Sequence, residues 1–462
     1  MARLRARLIV SGDLHLGRHP ARVPPDDPAL SVEAVARSLA DQAIERSVDA
    51  VVLAGDIADE ANKHFEAFGI LERLFHRLAD AGIPVYVVAG DHDYDVLGSV
   101  VEAVDSPMVR LLGRGQEWER VTIERGADAV LSLVGWSYAG PHVHEPPVET
   151  FPSDGDVPTI GVLHADLGDD PSAYAPVTLG HLKETSPVAW VLGHGHDPRV
   201  VDVGGATAVV PGTPQPLDPR EAGAHGAWLL NVASDGAVSA SLLPIATVRY
   251  DAIDVDLDGA DQASDVRERA TDALRQHAAA VRDASPDVRR AVIRLTLRGT
   301  TRAYRHIERV SADLMETGET HAAGASGTGL RLAVVVDRVE NRARPALNLD
   351  RLAMGTGPVA SLASLARRLE SGDLTGSDLG LVRQSVDVLH QARRSRVFEP
   401  LAQYGRLDDD LEAEAVARLR RQTYRLLDES LVQNPSDLAV PDADVSGDGA
   451  ASSPPTLGGP TP

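Results

Sequence analysis

Short apolar runs alternate with amphipathic stretches over the first 245 residues. The runs at 6–11, 50–54, 85–89, 129–134, 159–163, 189–192 and 206–210 are four to six residues long and read as buried strands. Between them, 32–46 and 62–81 carry apolar residues at helical spacing. This alternation predicts an α/β or layered β fold. Past residue 245 the texture changes. Segments 246–256 and 288–297 alternate apolar and polar positions, 329–336 is a third strand candidate, and 261–281 and 301–315 read as helices. That is a compact second α+β domain. Segments 362–369, 379–392 and 411–431 then predict a helical region, and from Asn434 onward Pro, Gly, Ser and Asp without Lys or Arg predict a disordered tail.

Most of the first runs end on Gly, Asp or His. Five segments stand out: Gly12-Asp13-Leu14-His15, Gly55-Asp56, Gly90-Asp91-His92-Asp93, His164 after Gly161-Val162-Leu163, and Gly193-His194-Gly195-His196. One Gly-Asp alone is an ordinary turn pair. Five hard-donor segments at strand exits of one domain point to a two-metal site, where divalent ions share carboxylate and imidazole ligands. In Asp-x-His and His-x-His on extended chain, both side chains fall on one face and reach one ion or adjacent ions.

Composition narrows the chemistry. Among 462 residues there is no Cys, which excludes a disulfide scaffold, a thiolate metal site and a cysteine nucleophile. Imidazole with carboxylate suits manganese, iron or zinc. The formal charge of −23 runs against the basic footprint usual in polyanion binders. All but two of the 45 basic residues are Arg, the exceptions being Lys63 and Lys183, a usage that fits a GC-rich genome or a salt-rich cytoplasm. No apolar run reaches the ~18 residues that span a bilayer. The unbroken apolar stretch near the N-terminus is only Leu8-Ile9-Val10, shorter than the roughly 7–15 residues of a signal-peptide core, so a cytoplasmic location is expected.

The ordered set of segments resembles the calcineurin-like metallophosphoesterase superfamily. The resemblance implies a four-layer β-sandwich flanked by helices over 1–245, an α+β capping domain over 246–345, a helical partner-binding region over 346–432 and an acidic tail over 433–462. It implies two divalent metal ions, most commonly Mn²⁺. Asp13, His15 and His196 would hold the first, Asp56 would bridge, and Asp91, His164 and His194 would complete the second. His92 would be the acid. The family has Gly-Asn-His at the third segment; here Asp91 replaces the Asn and adds a third negative charge to the site. Within the superfamily, Asp13-Leu14-His15-Leu16-Gly17, Tyr174-Ala175-Pro176-Val177 and the stretch from Pro211 to Pro219 resemble SbcD-type DNA-repair exonucleases, with Pro216-Leu217-Asp218-Pro219 fitting the YhaO-like subgroup. That match implies a nucleoid-associated homodimer acting on DNA with an SMC-type coiled-coil ATPase.

Local charge bears on the substrate. Eight Arg against three acidic residues lie between Arg282 and Arg309. Arg289, Arg290 and Arg294 are candidate DNA contacts, or solvated partners of nearby carboxylates, and Arg18 and His19 are candidate phosphate contacts. Asp59 and Asp93 are expected to orient ligand imidazoles or loops, while His142, His144 and His181 read as surface residues. Leu411, Ala415, Leu419, Leu426 and Leu427 form a helical stripe, for the ATPase or for the chain's own core. Three functions follow: a metal-dependent DNA exonuclease/endonuclease, a phosphoesterase on a small nucleotide or other phosphoester, and a non-catalytic subunit. The last is disfavoured because every ligand position holds a metal-binding residue type.

Overall fold

The computed structural model describes residues 4–61, 66–126, 128–153, 155–316, 320–322, 332–393 and 411–433. These fall into two units. The first takes residues up to 256 together with 264–297 and 309–340; the second takes 257–263, 298–308 and those from 341 onward.

The first unit begins with β1 (Leu4–Ser11), α1 (Val32–Arg46), β2 (Ala50–Ala54), α2 (Glu66–Asp80), β3 (Val85–Val88), α3 (Leu97–Val104) and β4 (Val109–Leu111). It continues through β5 (Glu119–Arg125), β6 (Asp128–Trp136), β7 (Thr159–His164), α4 (Leu179–Lys183), β8 (Ala189–Gly193), β9 (Arg199–Val203), β10 (Ala206–Val210), β11 (Ala227–Ala233) and β12 (Val238–Leu243). One sheet has the order β12-β11-β1-β2-β3-β4, and the other β5-β6-β7-β8-β10-β9. β1 to β4 pair in parallel, as do β6, β7, β8 and β10. Antiparallel β11, β5 and β9 flank these parallel cores.

Period-two alternation sorts the strand side chains into layers. Ile9, Val51, Leu53, Val85 and Val87 face α1 to α3. Leu8, Val10 and Val52 meet Leu131, Leu133, Ile160 and Val162 between the sheets. Val134, Leu163, Trp190 and Leu192 pack the outer face of the second sheet, with Leu182 of α4. The result is the expected four-layer sandwich. Because both faces of the central strands are covered, they read as continuous apolar runs. Ser31 starts α1 by accepting a hydrogen bond from Ala34 N at 3.2 Å.

β13 (Val248–Asp256), α5 (Ala263–Ala284), β14 (Arg290–Arg298), β15 (Thr300–Thr301), α6 (Ile307–Glu316), β16 (Thr320–Ala322), β17 (Leu332–Asn341) and β18 (Arg344–Pro345) follow. A third sheet, β13-β14-β17-β16, belongs to the first unit, and β15 pairs with β18 in the second. The helices of the second unit are α7 (Leu349–Ala353), α8 (Pro358–Ser371), α9 (Gly376–Arg393) and α10 (Leu411–Gln433). The stripe on α10 turns largely inward. Ala415 packs with Val382 and Leu389 of α9, Leu411 and Leu419 border that cluster, and Leu427 is buried. Leu426 stays exposed. No helix among the described residues is long and apolar enough to cross a membrane. From residue 434, the expected tail lies outside the described residues, as do the start of the 62–81 helix and that of the 329–336 strand.

Trp190 is the largest fully buried side chain. It lies 4.7 Å from the Phe151 ring and 6.1 Å from that of Trp118, centroid to centroid. Trp190→Ala is expected to lower unfolding free energy by about 3–5 kcal/mol in denaturant titration.

Candidate metal centre

The parallel strands empty their chemistry onto one edge. Asp13 and His15 follow β1, Asp56 follows β2, Asp91 and His92 follow β3, His164 closes β7, and His194 and His196 follow β8. The structure brings these residues together in groups whose donor atoms lie within 4.8 Å of one another: Asp13 with His15 and His196, Asp91 with His164 and His194, and Asp56 with Asp13 and His164. Asp56 also groups with His15 and His92, so it stands between the two ends of the site.

Backbone geometry makes this crowding feasible. Asp13, His15, Asp56 and His194 all adopt left-handed backbone, with φ of 48°, 47°, 51° and 82°. The glycines before the ligands allow close approach. A Cβ at Gly193 would stand 1.8 Å from the Ala54 carbonyl oxygen, and one at Gly90 would stand 2.1 Å from Asp56 Oδ1. The Asp13 carboxylate accepts from His194 N at 3.0 Å, joining the β1 and β8 exits.

His164 and His196 are aimed by their other nitrogen, and His15 has a carboxylate behind it. His164 Nδ1 meets the Ala54 carbonyl oxygen at 2.9 Å, leaving Nε2 toward Asp91 at 3.1 Å and Asp56 at 3.5 Å. His196 Nδ1 meets Glu221 at 2.8 Å, and its Nε2 stands 3.2 Å from that of His15. His15 Nδ1 lies 3.4 Å from Asp59. Two imidazole Nε2 atoms converging with carboxylate oxygens form the donor set of a divalent ion, and carboxylates or carbonyls behind the ligand rings are the usual supports. The Tyr138 hydroxyl is buried without a hydrogen-bonding partner, and its ring is 5.8 Å from that of His164. A buried orphan hydroxyl beside the second group fits a site that takes up ligand or water. The residues therefore fit a pair of divalent ions.

The charges of the bare chain make the same point. Burial opposes ionisation of Asp56, yet His164 holds its carboxyl down to about 2. Burial likewise opposes ionisation of Asp91, but hydrogen bonds from His164 and His194 keep it well below the usual carboxylate range. Burial works against the His164 cation too, and Asp56, Asp91 and Asp13 nevertheless drive it well above the usual imidazole value. Burial raises Asp13. Burial and the Asp56 charge push Asp93 up to about 7. Three carboxylates this close require positive charge between them, and the bare chain supplies it by protonating His164.

His92 stands at the rim with its side chain 30% exposed, Nε2 3.8 Å from both Asp56 and Asp91 and Nδ1 3.8 Å from Asp59. Asp59 also meets Arg18 at 3.6 Å. Asp93 is fully buried and accepts from the backbone of Ile57 at 2.6 Å and Gly90 at 2.8 Å, tying the β2 and β3 exits together. His19 is exposed. Arg290 is buried with Nε on the Arg22 carbonyl, and Arg294 pairs with Asp337 at 3.1 Å, because both guanidinium groups turn toward the first unit's own polar groups. Of the three, only Arg289 is exposed.

Sequence reading passed over Glu221, which also accepts from Thr213 Oγ1 at 3.0 Å and Leu217 N at 2.6 Å. Its one signal is its place just past the Pro211–Pro219 stretch. Tyr174 was noticed only as part of a motif; its ring stacks on His194 at 5.0 Å.

Residues 7–235 match the calcineurin-like phosphoesterase superfamily domain. Residues 250–344 match the middle domain of metallophosphoesterase YhaO. The uncharacterized metallophosphoesterase YhaO of Bacillus subtilis (strain 168) is 32% identical over 215 residues, 45% of this chain and 51% of that protein. The chain thus spans about half the length of the curated relative it matches. Among solved structures, a dimetal phosphatase from Danio rerio is 14% identical with a TM-score of 0.34, covering 52% of this chain and 99% of that one. The calcineurin-like phosphoesterase YfkN from Bacillus subtilis is 11% identical with a TM-score of 0.34, covering 51% and 88%. Likeness at that level says nothing of substrate.

Asp91→Asn removes one carboxylate from the second group. Equilibrium dialysis is expected to show weaker Mn²⁺ binding by about tenfold or more, with the acid limb of any rate–pH profile moved to lower pH. Unchanged affinity and profile would show that the third negative charge has no influence.

Proposed function

We propose that this chain hydrolyses phosphodiester bonds in DNA as a Mn²⁺-dependent exonuclease/endonuclease, acting in double-strand-break repair with an SMC-type coiled-coil ATPase. The observation that supports this most is the pairing of two metal-fitting donor groups with a partly exposed histidine at their rim. Two divalent ions bound there would polarise a phosphoryl group and favour in-line attack by water. The chain's own groups do the rest. Asp56 lies between the donor groups and keeps them in one cluster. His92 presents its ring toward the Asp56 and Asp91 carboxylates, where it can give a proton to a departing alkoxide. Arg18, on the loop after His15, would meet a substrate phosphate.

A second reading, hydrolysis of a small nucleotide or other phosphoester, is favoured by the arginines. With Arg290 buried and the 39%-exposed Arg294 side chain paired to Asp337, Arg289 is the most exposed cation among the segment's three candidates. The two readings part on one assay. With Mn²⁺, the full chain is expected to degrade linear duplex or single-stranded DNA. His92→Ala is expected to lower kcat by about 10²–10⁴-fold with circular dichroism and metal content unchanged. Activity confined to bis(p-nitrophenyl) phosphate or a nucleotide would select the second reading.

The ATPase would dock on the helical second unit, where Leu381 and Val388 of α9 and Leu426 and Val432 of α10 are exposed. Co-purification with a large ATPase is expected from the full chain and is expected to be lost on truncation at about Leu407. Retention by the truncated chain would place the contact elsewhere.

A further inference from the structure

The loop that follows His15 is gripped from behind by the third sheet, and every contact lies within the first unit. Ala21 N donates to the Leu217 carbonyl at 2.7 Å. The Tyr250 hydroxyl donates to the Ala21 carbonyl at 2.6 Å. Arg290 Nε donates to the Arg22 carbonyl at 3.1 Å. Arg22 itself adopts left-handed backbone with φ 62°. Its Nε meets Asp337 Oδ1 at 2.7 Å, while Arg294 Nε meets the other carboxylate oxygen at 3.1 Å. The Asp337 side chain is only 5% exposed, and Tyr250 is fully buried.

A solvated ion pair would carry little weight. Here the carboxylate is buried while the two side chains that share it are 67% and 39% exposed, so its charge depends on holding both arginines against it. Left-handed backbone is strained for a residue that carries a Cβ, as Arg22 does. Such strain persists only where surrounding contacts over-determine it. What the grip holds in place is the short loop carrying Arg18, whose Nε stands 3.6 Å from Asp59, itself 3.4 Å from the ligand His15.

We propose that Asp337 and Tyr250 are positioning residues for the phosphoester substrate: from the third sheet Tyr250 holds the Ala21 carbonyl and Asp337 holds the Arg22 side chain, and so they fix Arg18 at the rim of the metal centre. This rests on the hydrolytic reading above. Asp337 on β17 and Tyr250 on β13 then link the YhaO-type middle segment to substrate binding through the loop alone, with no group of their own at the reacting atoms.

The test uses the full chain with Mn²⁺ and bis(p-nitrophenyl) phosphate. Asp337→Asn is expected to raise KM about fivefold or more, with metal content unchanged. Asp337→Glu is expected to recover most of the loss. Amide hydrogen exchange over residues 17–22 is expected to quicken about tenfold in Asp337→Asn, with α1 unaffected. The KM of Asp337→Asn combined with Arg18→Ala is expected to be no higher than that of Arg18→Ala alone, since both act on one contact. Tyr250→Phe, which loses a single hydroxyl, is expected to move KM and exchange in the same direction and serves if the Asp337 variants do not fold. Unchanged KM and exchange in the folded variants overturn the proposal, as does full additivity with Arg18→Ala. If the wild-type chain hydrolyses no phosphoester, the functional reading falls, and the exchange measurement still decides whether the third sheet holds the loop.

Discussion

Everything in the first unit serves to hold acidic groups closer together than they would stand unaided. Asp13, Asp56 and Asp91 share a cluster with His15, His164, His194 and His196, and four of these seven adopt left-handed backbone. Each such conformation costs about 1–2 kcal/mol outside glycine, and each buried carboxylate adds repulsion. The sandwich answers both. Rigid parallel strands fix where each exit begins, Asp93 ties two exits through backbone amides, and Asp13 ties a third to the β8 exit. Strain kept at a site in this way is stored by the fold and marks the place where ligand chemistry is prepared.

The outer ring of supports obeys the same logic. Glu221 aims His196, the Ala54 carbonyl aims His164, and Asp59 stands behind both His15 and His92. These contacts fix which imidazole nitrogen faces the cluster, a choice an isolated histidine does not make. The stretch from Pro211 to Glu221 therefore has a structural meaning. Gln215 accepts from Thr247 N at 2.9 Å, and Leu217 accepts from Ala21 N at 2.7 Å, so one segment braces a metal ligand, the loop after His15 and the start of β13.

The candidate donors could be picked out in the sequence because most follow an apolar strand and a glycine, a signal contained in a few adjacent residues. The sandwich was legible for the same reason: buried parallel strands are short unbroken apolar runs. What escaped were pairings across long separations. Glu221 is 25 residues from His196, and Asp337 is 43 residues from Arg294. No local pattern announces such partners. A linear count of charge also ignores which way each side chain turns: Arg289 just before β14 is exposed, whereas Arg290 at its start is buried. Strands β5, β9 and β12 escaped because they lie at sheet edges, where exposed polar residues break the apolar run.

Several carboxylates face arginines inside the protein: Asp337 with Arg22 and Arg294, Asp49 with Arg125, and Asp378 with Arg368. Guanidinium suits such sites because its planar fork meets both oxygens of a carboxylate, as Arg125 does with Asp49 and Arg368 with Asp378. A chain that has all but abandoned lysine thus uses part of its arginine as internal fastening. Its arginine content consequently overstates the basic surface open to a polyanion. Its charge of −23 in turn overstates the repulsion at the metal centre, since ions bound there would offset Asp13, Asp56 and Asp91. Among the cations beside the site is Arg18, three residues past His15, whose Nε stands 3.6 Å from Asp59.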